Sequence, residues 1–330
     1  MTLGYIGSKK SLIDFLDTHI RPTLKSDDVF ADLFAGTGVV AQHFSKYCSS
    51  VVTNDAEQYS FVINYASNKV AYTKRLESFI DHLNSLPGKT GILTRHFATG
   101  RMFFTQANAR KIDAIRHHIQ IWRDTVAITK GEYYFLLASL LVSADKVANT
   151  ASIYCSYLKQ YKKSALRPIV LIPIHTSTLS PQKKNNVYCA DTLRLIKSSK
   201  INKITVAYFD PPYNQRQYSA NYNLLNYIVL YDPTITIYGT GGLIKDYFKS
   251  QFSSKTGVIN SFHTLIKYCP ARTIFISYNN EGLVSKEDLL QICSTYGSVK
   301  LHQQRYKKFL SHKDEDAKTT VEYLFEVHKK

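Results

Sequence analysis

Acidic residues are scarce in this chain. Against 42 Lys and Arg there are 25 Asp and Glu, a net charge of +17 over 330 residues. That excess of positive charge points to a polyanionic partner, because phosphate neutralisation supplies most non-specific affinity for nucleic acid. Cys-x-x-Cys pairs are absent, and the five cysteines (Cys48, Cys155, Cys189, Cys269, Cys293) are odd in number and far apart. No zinc or other metal site is expected, and unpaired thiols suit a reducing, cytoplasmic compartment. The N-terminus has no apolar signal core. The longest apolar stretch, Tyr133 to Val142, contains Ser139 and is too short to span a bilayer, so no membrane association is expected. There is no internal repeat and no low-complexity tract. One large or two modest domains are expected at this length.

What is present begins with Asp210-Pro211-Pro212-Tyr213. It follows the apolar run Ile204-Thr205-Val206-Ala207-Tyr208-Phe209, which predicts a central strand ended by the two prolines. A carboxylate, a rigid donor-free backbone and an aromatic ring then project from the strand's C-terminal edge, where open α/β sheets bind ligands. A carboxylate and a carbonyl can together accept from one exocyclic amino group, and a ring beside them can stack on a base. The combination suits chemistry on a nucleobase amino group. Asp-Pro-Pro is also a good turn by itself.

A second signal is Val29-Phe30-Ala31-Asp32-Leu33-Phe34-Ala35-Gly36-Thr37-Gly38-Val39-Val40-Ala41, a strand, a glycine turn and a helix start. Gly36 and Gly38 allow positive φ and close approach of a ligand. The dinucleotide fingerprint is incomplete, because Ala41 stands at the third glycine position. Ser50-Val51-Val52-Thr53-Asn54 predicts the next strand, ending in Asp55, where an acid suits a ribose hydroxyl. No Walker-type lysine follows the glycines. A nucleoside-like cofactor therefore fits as well as a dinucleotide.

The two signals lie in separate lobes, residues 1–70 and 186–330, with an insertion at 71–185. The insertion predicts helices over Ala71 to Leu86, Asn108 to Val126 and Glu132 to Lys146. It is rich in basic residues: Lys89, Arg95, Arg101, Arg110, Lys111, Arg116 and Arg123, then Tyr157-Leu158-Lys159-Gln160-Tyr161-Lys162-Lys163. Lysines interleaved with tyrosines predict a phosphate-tracking surface with stacking capacity, with Lys159, Lys162 and Lys163 at its centre. A solvated helix face is the plainer alternative for any one of them. Tyr238-Gly239-Thr240-Gly241-Gly242 predicts a mobile loop that orders on a polymer.

Taken in order, Gly4-Tyr5-Ile6-Gly7-Ser8-Lys9-Lys10, Asp32-Leu33-Phe34-Ala35-Gly36-Thr37-Gly38, Asn54-Asp55 and Asp210-Pro211-Pro212-Tyr213 resemble the D12 class of N6-adenine DNA methyltransferases. That class takes in Dam and many restriction-modification methylases. Ala190-Asp191-Thr192, Ile276 to Gly282, Arg305-Tyr306 and Val321 to Phe325 extend the resemblance over nearly the whole chain. It implies an α/β fold, a Rossmann-like S-adenosylmethionine-dependent methyltransferase sheet with an inserted, mainly helical target-recognition domain.

The resemblance also implies roles. Asp210 and the Pro211 carbonyl would grip both N–H bonds of adenine N6, with Pro212 fixing the backbone and Tyr213 stacking on a base flipped out of duplex DNA. S-adenosylmethionine is the implied cofactor. Tyr5 and Lys9 would flank the pocket. Asp32, Phe34, Gly36 and Gly38 would surround the cofactor's methionine part, Asp55 its ribose, and Asp191 its adenine or ribose. Asp191 would equally serve as a helix cap. Arg216 and Gln217 would contact phosphates around the flipped base. The implied partner is double-stranded DNA, with room for a cognate restriction endonuclease acting separately. The same tetrapeptide would serve an RNA adenine methylase or an N4-cytosine methylase, and a non-catalytic nucleic-acid-binding module could retain the fold.

Overall fold

The computed structural model describes residue 3 and residues 9–151, 153–175, 184–307 and 319–330. The chain divides into two compact units. One holds residues 8–56, 182–217 and 248–330, and contains the large sheet. Its strands are β1 (Val29–Asp32), β2 (Ser50–Asp55), β3 (Asn186–Cys189), β4 (Val206–Phe209), β7 (Thr273–Asn279), β8 (Gly297–Lys307) and β9 (Thr319–Lys329). A small pair, β5 (Ile237–Tyr238) and β6 (Leu243–Ile244), lies in the other unit.

The sheet order is β3-β2-β1-β4-β7-β9-β8. The first five strands run parallel, and β9 pairs antiparallel with both β7 and β8. β4 and β7 are buried at every position, as expected of strands covered on both faces. Helices α1 (Ile13–Ile20), α2 (Val39–Phe44), α7 (Thr192–Leu195), α10 (Val258–Tyr268) and α11 (Lys286–Ser294) belong to the same unit. The chain leaves β1 towards β2 and β3, then returns to place β4 on the other side of β1. That reversal opens a crevice at the carboxyl ends of β1 and β4. Asp32 sits across from Tyr208 in the register, so Asp210 emerges two residues past the end of the pairing.

The second unit is mainly helical: α3 (Gln58–Lys69), α4 (Lys74–Ser85), α5 (Gln106–Asp124), α6 (Lys130–Val147), α8 (Tyr218–Asn221) and α9 (Asn223–Leu230). α6 is buried nearly all round from Phe135 to Ala144 and forms its centre. A capping box starts it, with Thr129 accepting from the Glu132 N–H and Glu132 accepting from the Thr129 N–H.

The division differs from the one expected from sequence. The long segment of the helical unit begins at Glu57, not near residue 71, and the unit also takes Leu3 and residues 218–247. The cause is burial. Tyr59, Val62 and Ile63 of α3 and Leu224, Leu225 and Ile228 of α9 share one apolar core with α6. Tyr222 and Leu225 are core residues there, which settles the packing of the segment after the proline motif.

Candidate active site

The turn after β1 is built by its glycines. Gly36 has φ 49° and Gly38 φ 76°, both in the left-handed region that a Cβ disfavours. Three groups hold the turn against β2: the Ala35 N–H donates to the Asn54 carbonyl at 2.9 Å, the Gly36 N–H donates to Asp55 Oδ2 at 2.7 Å, and Asn54 Nδ2 donates to the Leu33 carbonyl at 3.3 Å. Asn54 also reaches the Ala190 carbonyl (3.0 Å) and Thr192 Oγ1 (3.1 Å). The loop before α7 is thereby tied to the same edge. Asp191 caps α7, accepting from the Leu193 N–H at 3.0 Å. Phe34 packs edge-on against Phe252, with centroids 5.2 Å apart, and against Phe209.

Asp32 lies under this turn, 1% exposed. Burial, then the charges of Asp210 and Asp55, push its carboxyl up to about 8, against hydrogen bonds from the Phe34 and Ala41 N–H groups. Its Oδ1 has no hydrogen-bond partner among the described residues.

On the other side of the crevice stands Asp210. Lys9, on the 3₁₀ turn Lys9–Leu12, puts its Nζ 2.8 Å from Asp210 Oδ1 and 3.3 Å from Glu322 Oε1 of β9. Ser277 Oγ of β7 donates to the same Glu322 oxygen. The Asp210 side chain is 20% exposed, Lys9 10% and Glu322 1%. Burial raises the Asp210 pKa, Lys9 opposes it, Glu322 reinforces it, and the result is about 6. Burial works to lower Lys9, but Asp210 and Glu322 outweigh it and hold the ammonium well above its usual value. Pro211 is buried, and the Tyr213 carbonyl accepts from the Leu283 N–H at 2.9 Å, which fixes the motif to the loop after β7.

A family profile described as D12 class N6 adenine-specific DNA methyltransferase matches residues 5–292. The chain is 42% identical to the type II methyltransferase M.NlaIII of Neisseria lactamica, over 99% of both chains. It is 37% identical to the type II methyltransferase M.CviAII of Paramecium bursaria Chlorella virus 1, over 99% of this chain and 98% of that one. To the type II methyltransferase M.FokI of Planomicrobium okeanokoites it is 32% identical over 99% of its own length and 53% of the relative's. This chain belongs to the D12 class of N6-adenine-specific DNA methyltransferases.

In this D12 methyltransferase the structure brings together Lys9, Asp32, Asp55 and Asp210 at the carboxyl edge of one sheet. Tyr5 lies outside the described residues. Glu322 and Ser277 lie in segments that extend the resemblance, but neither was singled out from the sequence as a site residue. Their signal was faint: one acid in the apolar run Val321 to Phe325, and a serine in the apolar strand Thr273 to Tyr278. No cluster of three or more His, Cys, Asp or Glu among the described residues could hold a metal ion. No described helix is long and apolar enough to cross a membrane.

The basic residues divide into exposed side chains and side chains bonded within the fold. Lys159 and Lys163 are exposed, but Lys162 Nζ donates to the Thr150 carbonyl at 2.7 Å. Arg116 is 2% exposed and donates to the Ile228 and Val229 carbonyls at the end of α9. Lys111 Nζ caps the carbonyls of Asn84 and Leu86. Arg116 and Lys111 thus satisfy helix C-termini, where carbonyls lack intrahelical donors, and Lys162 satisfies a loop carbonyl past the end of α6. Lys89, Arg95, Arg110 and Arg123 remain exposed. Arg216 is exposed too, while Gln217 Oε1 accepts from the Ser250 N–H at 2.8 Å. The glycine-rich segment read as a mobile loop is the β5–β6 hairpin, whose Gly239 and Thr240 carbonyls accept from Arg101 at 2.9 and 3.2 Å.

Proposed function

We propose that this chain methylates N6 of an adenine flipped out of duplex DNA at a specific site, with S-adenosylmethionine as donor. The observation that carries the reading is the Asp210 carboxylate. It stands at the switch point of the sheet, partly exposed, with Oδ1 paired to Lys9. With a pKa of about 6 it is mostly ionised at neutral pH and accepts hydrogen bonds.

Adenine N6 is a weak nucleophile because its lone pair is delocalised into the ring. Asp210 and the Pro211 carbonyl would accept its two N–H bonds and favour a tetrahedral nitrogen. The buried Pro211 and its neighbour Pro212 keep that carbonyl fixed before the base arrives, so little reorganisation is needed. Tyr213 would stack on the base, and the duplex must release it because N6 is unreachable in the stack.

The residues of the glycine turn fit the donor. Gly36 and Gly38 leave bare backbone at positive φ, and Asp55 stands beside them at the end of β2. Phe34, Asp32 and Asp191 would complete the pocket, with Asp32 supporting the turn from beneath. S-adenosylmethionine supplies, when bound, a methyl group on a sulfonium that is a good leaving group. Within the helical unit, exposed Lys159 and Lys163 would track phosphates and its surface would read the target. Exposed Arg216 of the sheet unit would meet phosphates on its own account. A separate endonuclease of the same specificity would be its functional partner.

Transfer of a labelled methyl group to duplex DNA and to RNA, followed by nucleoside identification, tests this. The expected product is N6-methyldeoxyadenosine. Label in RNA, or in N4-methyldeoxycytidine, would overturn it.

A further inference from the structure

We propose that Glu322 is a positioning residue for methyl transfer: it anchors Lys9 against Asp210 and gives the cluster a net negative charge facing the target amino group. The proposal rests on the role given to Asp210 above.

Three elements converge to make the arrangement. The Lys9 turn, β7 through Ser277 and β9 through Glu322 meet behind the proline motif. A carboxylate that is 1% exposed is costly unless something needs its charge. Here one cation lies between two carboxylates, and only Asp210 retains appreciable exposure. An Asp210–Lys9 pair alone is neutral. Glu322 leaves the trio with one net negative charge.

That charge matters to the chemistry. As the N6 lone pair forms a bond to the methyl carbon, the donor's sulfur–carbon bond would break and the thioether would leave with that electron pair. The nitrogen would stay positive until a proton passed to Asp210, whose partly exposed side chain can return it to solvent. A neutral pair would offer it little, whereas a net negative cluster in a dry site stabilises it. Glu322 acts through Lys9 and Asp210 and does not itself touch the base. Among the described residues, the titratable groups that face the cluster include Tyr208 of β4, Tyr306 of β8 and Asp32 of β1. Burial raises all three, so neither tyrosine titrates near neutrality and Asp32 does so only near pH 8.

The signs separate this role from mere structural support. Glu322 raises the Asp210 pKa, and Lys9 lowers it. Removing Glu322 should therefore move the acid limb of the kcat profile to lower pH, while removing Lys9 should move it to higher pH. The experiment measures kcat against pH on bacterial genomic DNA lacking adenine methylation, for wild type, Glu322→Gln and Lys9→Met. For Glu322→Gln, kcat should fall at least about 30-fold while KM for DNA changes less than about 3-fold. Calorimetric cofactor affinity should also hold within about 3-fold, reporting an intact pocket. A near wild-type kcat, or a loss whose acid limb stays put or rises, overturns the proposal.

Ser277→Ala removes the hydroxyl that orients Glu322 and leaves all three charges in place, and it decides the matter if Glu322→Gln does not fold. It should lower kcat about 3- to 10-fold at constant KM, and an unchanged kcat overturns the proposal. Wild-type enzyme that leaves adenine unmethylated overturns the functional reading itself, whatever the variants do.

Discussion

Asp55 Oδ2 accepts a hydrogen bond from the Gly36 N–H at 2.7 Å. The tip of β2 is thus fastened to the glycine turn that follows β1. One carboxylate shapes the turn and, under the proposed function, would also meet the ribose of the donor.

Asp55→Ala should weaken cofactor binding. Loss of a charge-assisted hydrogen bond costs about 1.5–3 kcal/mol, roughly a 10- to 150-fold rise in Kd. Calorimetry checks it, and an unchanged Kd would move Asp55 out of the pocket.

Methylation should depend on pH through Asp210. Its pKa is raised to about 6, and in the proposed reaction the ionised form is the one that would accept from N6. The rate should therefore be full above that value and fall as pH drops through it, approaching tenfold per unit at the acid end. Asp210→Asn should lower kcat by about 100-fold or more and lose this limb. A wild-type profile flat between roughly pH 5 and pH 8 would contradict the assignment.

Arg116 predicts stability rather than DNA affinity. Arg116→Met strands the Ile228 and Val229 carbonyls, which now accept at 2.9 and 2.8 Å. The expected loss is about 2–4 kcal/mol, a fall in Tm of roughly 4–10 °C. Exposed Arg123→Ala should stay within about 0.5 kcal/mol. Thermal unfolding of both variants checks the contrast.

Lys159 and Lys163 predict the opposite. Neutralising both should weaken binding to any duplex and reduce the slope of log affinity against log salt by about two units. Lys162, bonded to the Thr150 carbonyl, should change stability more than the slope. Salt titrations of the three variants decide whether this stretch meets phosphates or only solvent.

Much of the site was legible because its parts are local. A proline pair ends β4 whatever surrounds it, and Gly36 and Gly38 meet the turn's demand for positive φ without help from afar. Strand runs and helix periodicity likewise record burial that neighbours in sequence share. Position alone could not show whether a basic residue faces water. Arg116, Lys111 and Lys162 read as surface charge, yet each satisfies backbone carbonyls of its own unit.

The sequence by itself determined the strand–turn edges, their acids and the order of motifs, because backbone stereochemistry and hydrophobic periodicity act within a few residues. The tertiary structure alone decided which distant residues share a core or a charge. α9 joins α6 through apolar burial across a gap in sequence that no local pattern spans. Lys9 meets Glu322 more than three hundred positions away, because the sheet order sets β9 beside β7, where the Ser277 hydroxyl holds the Glu322 carboxylate.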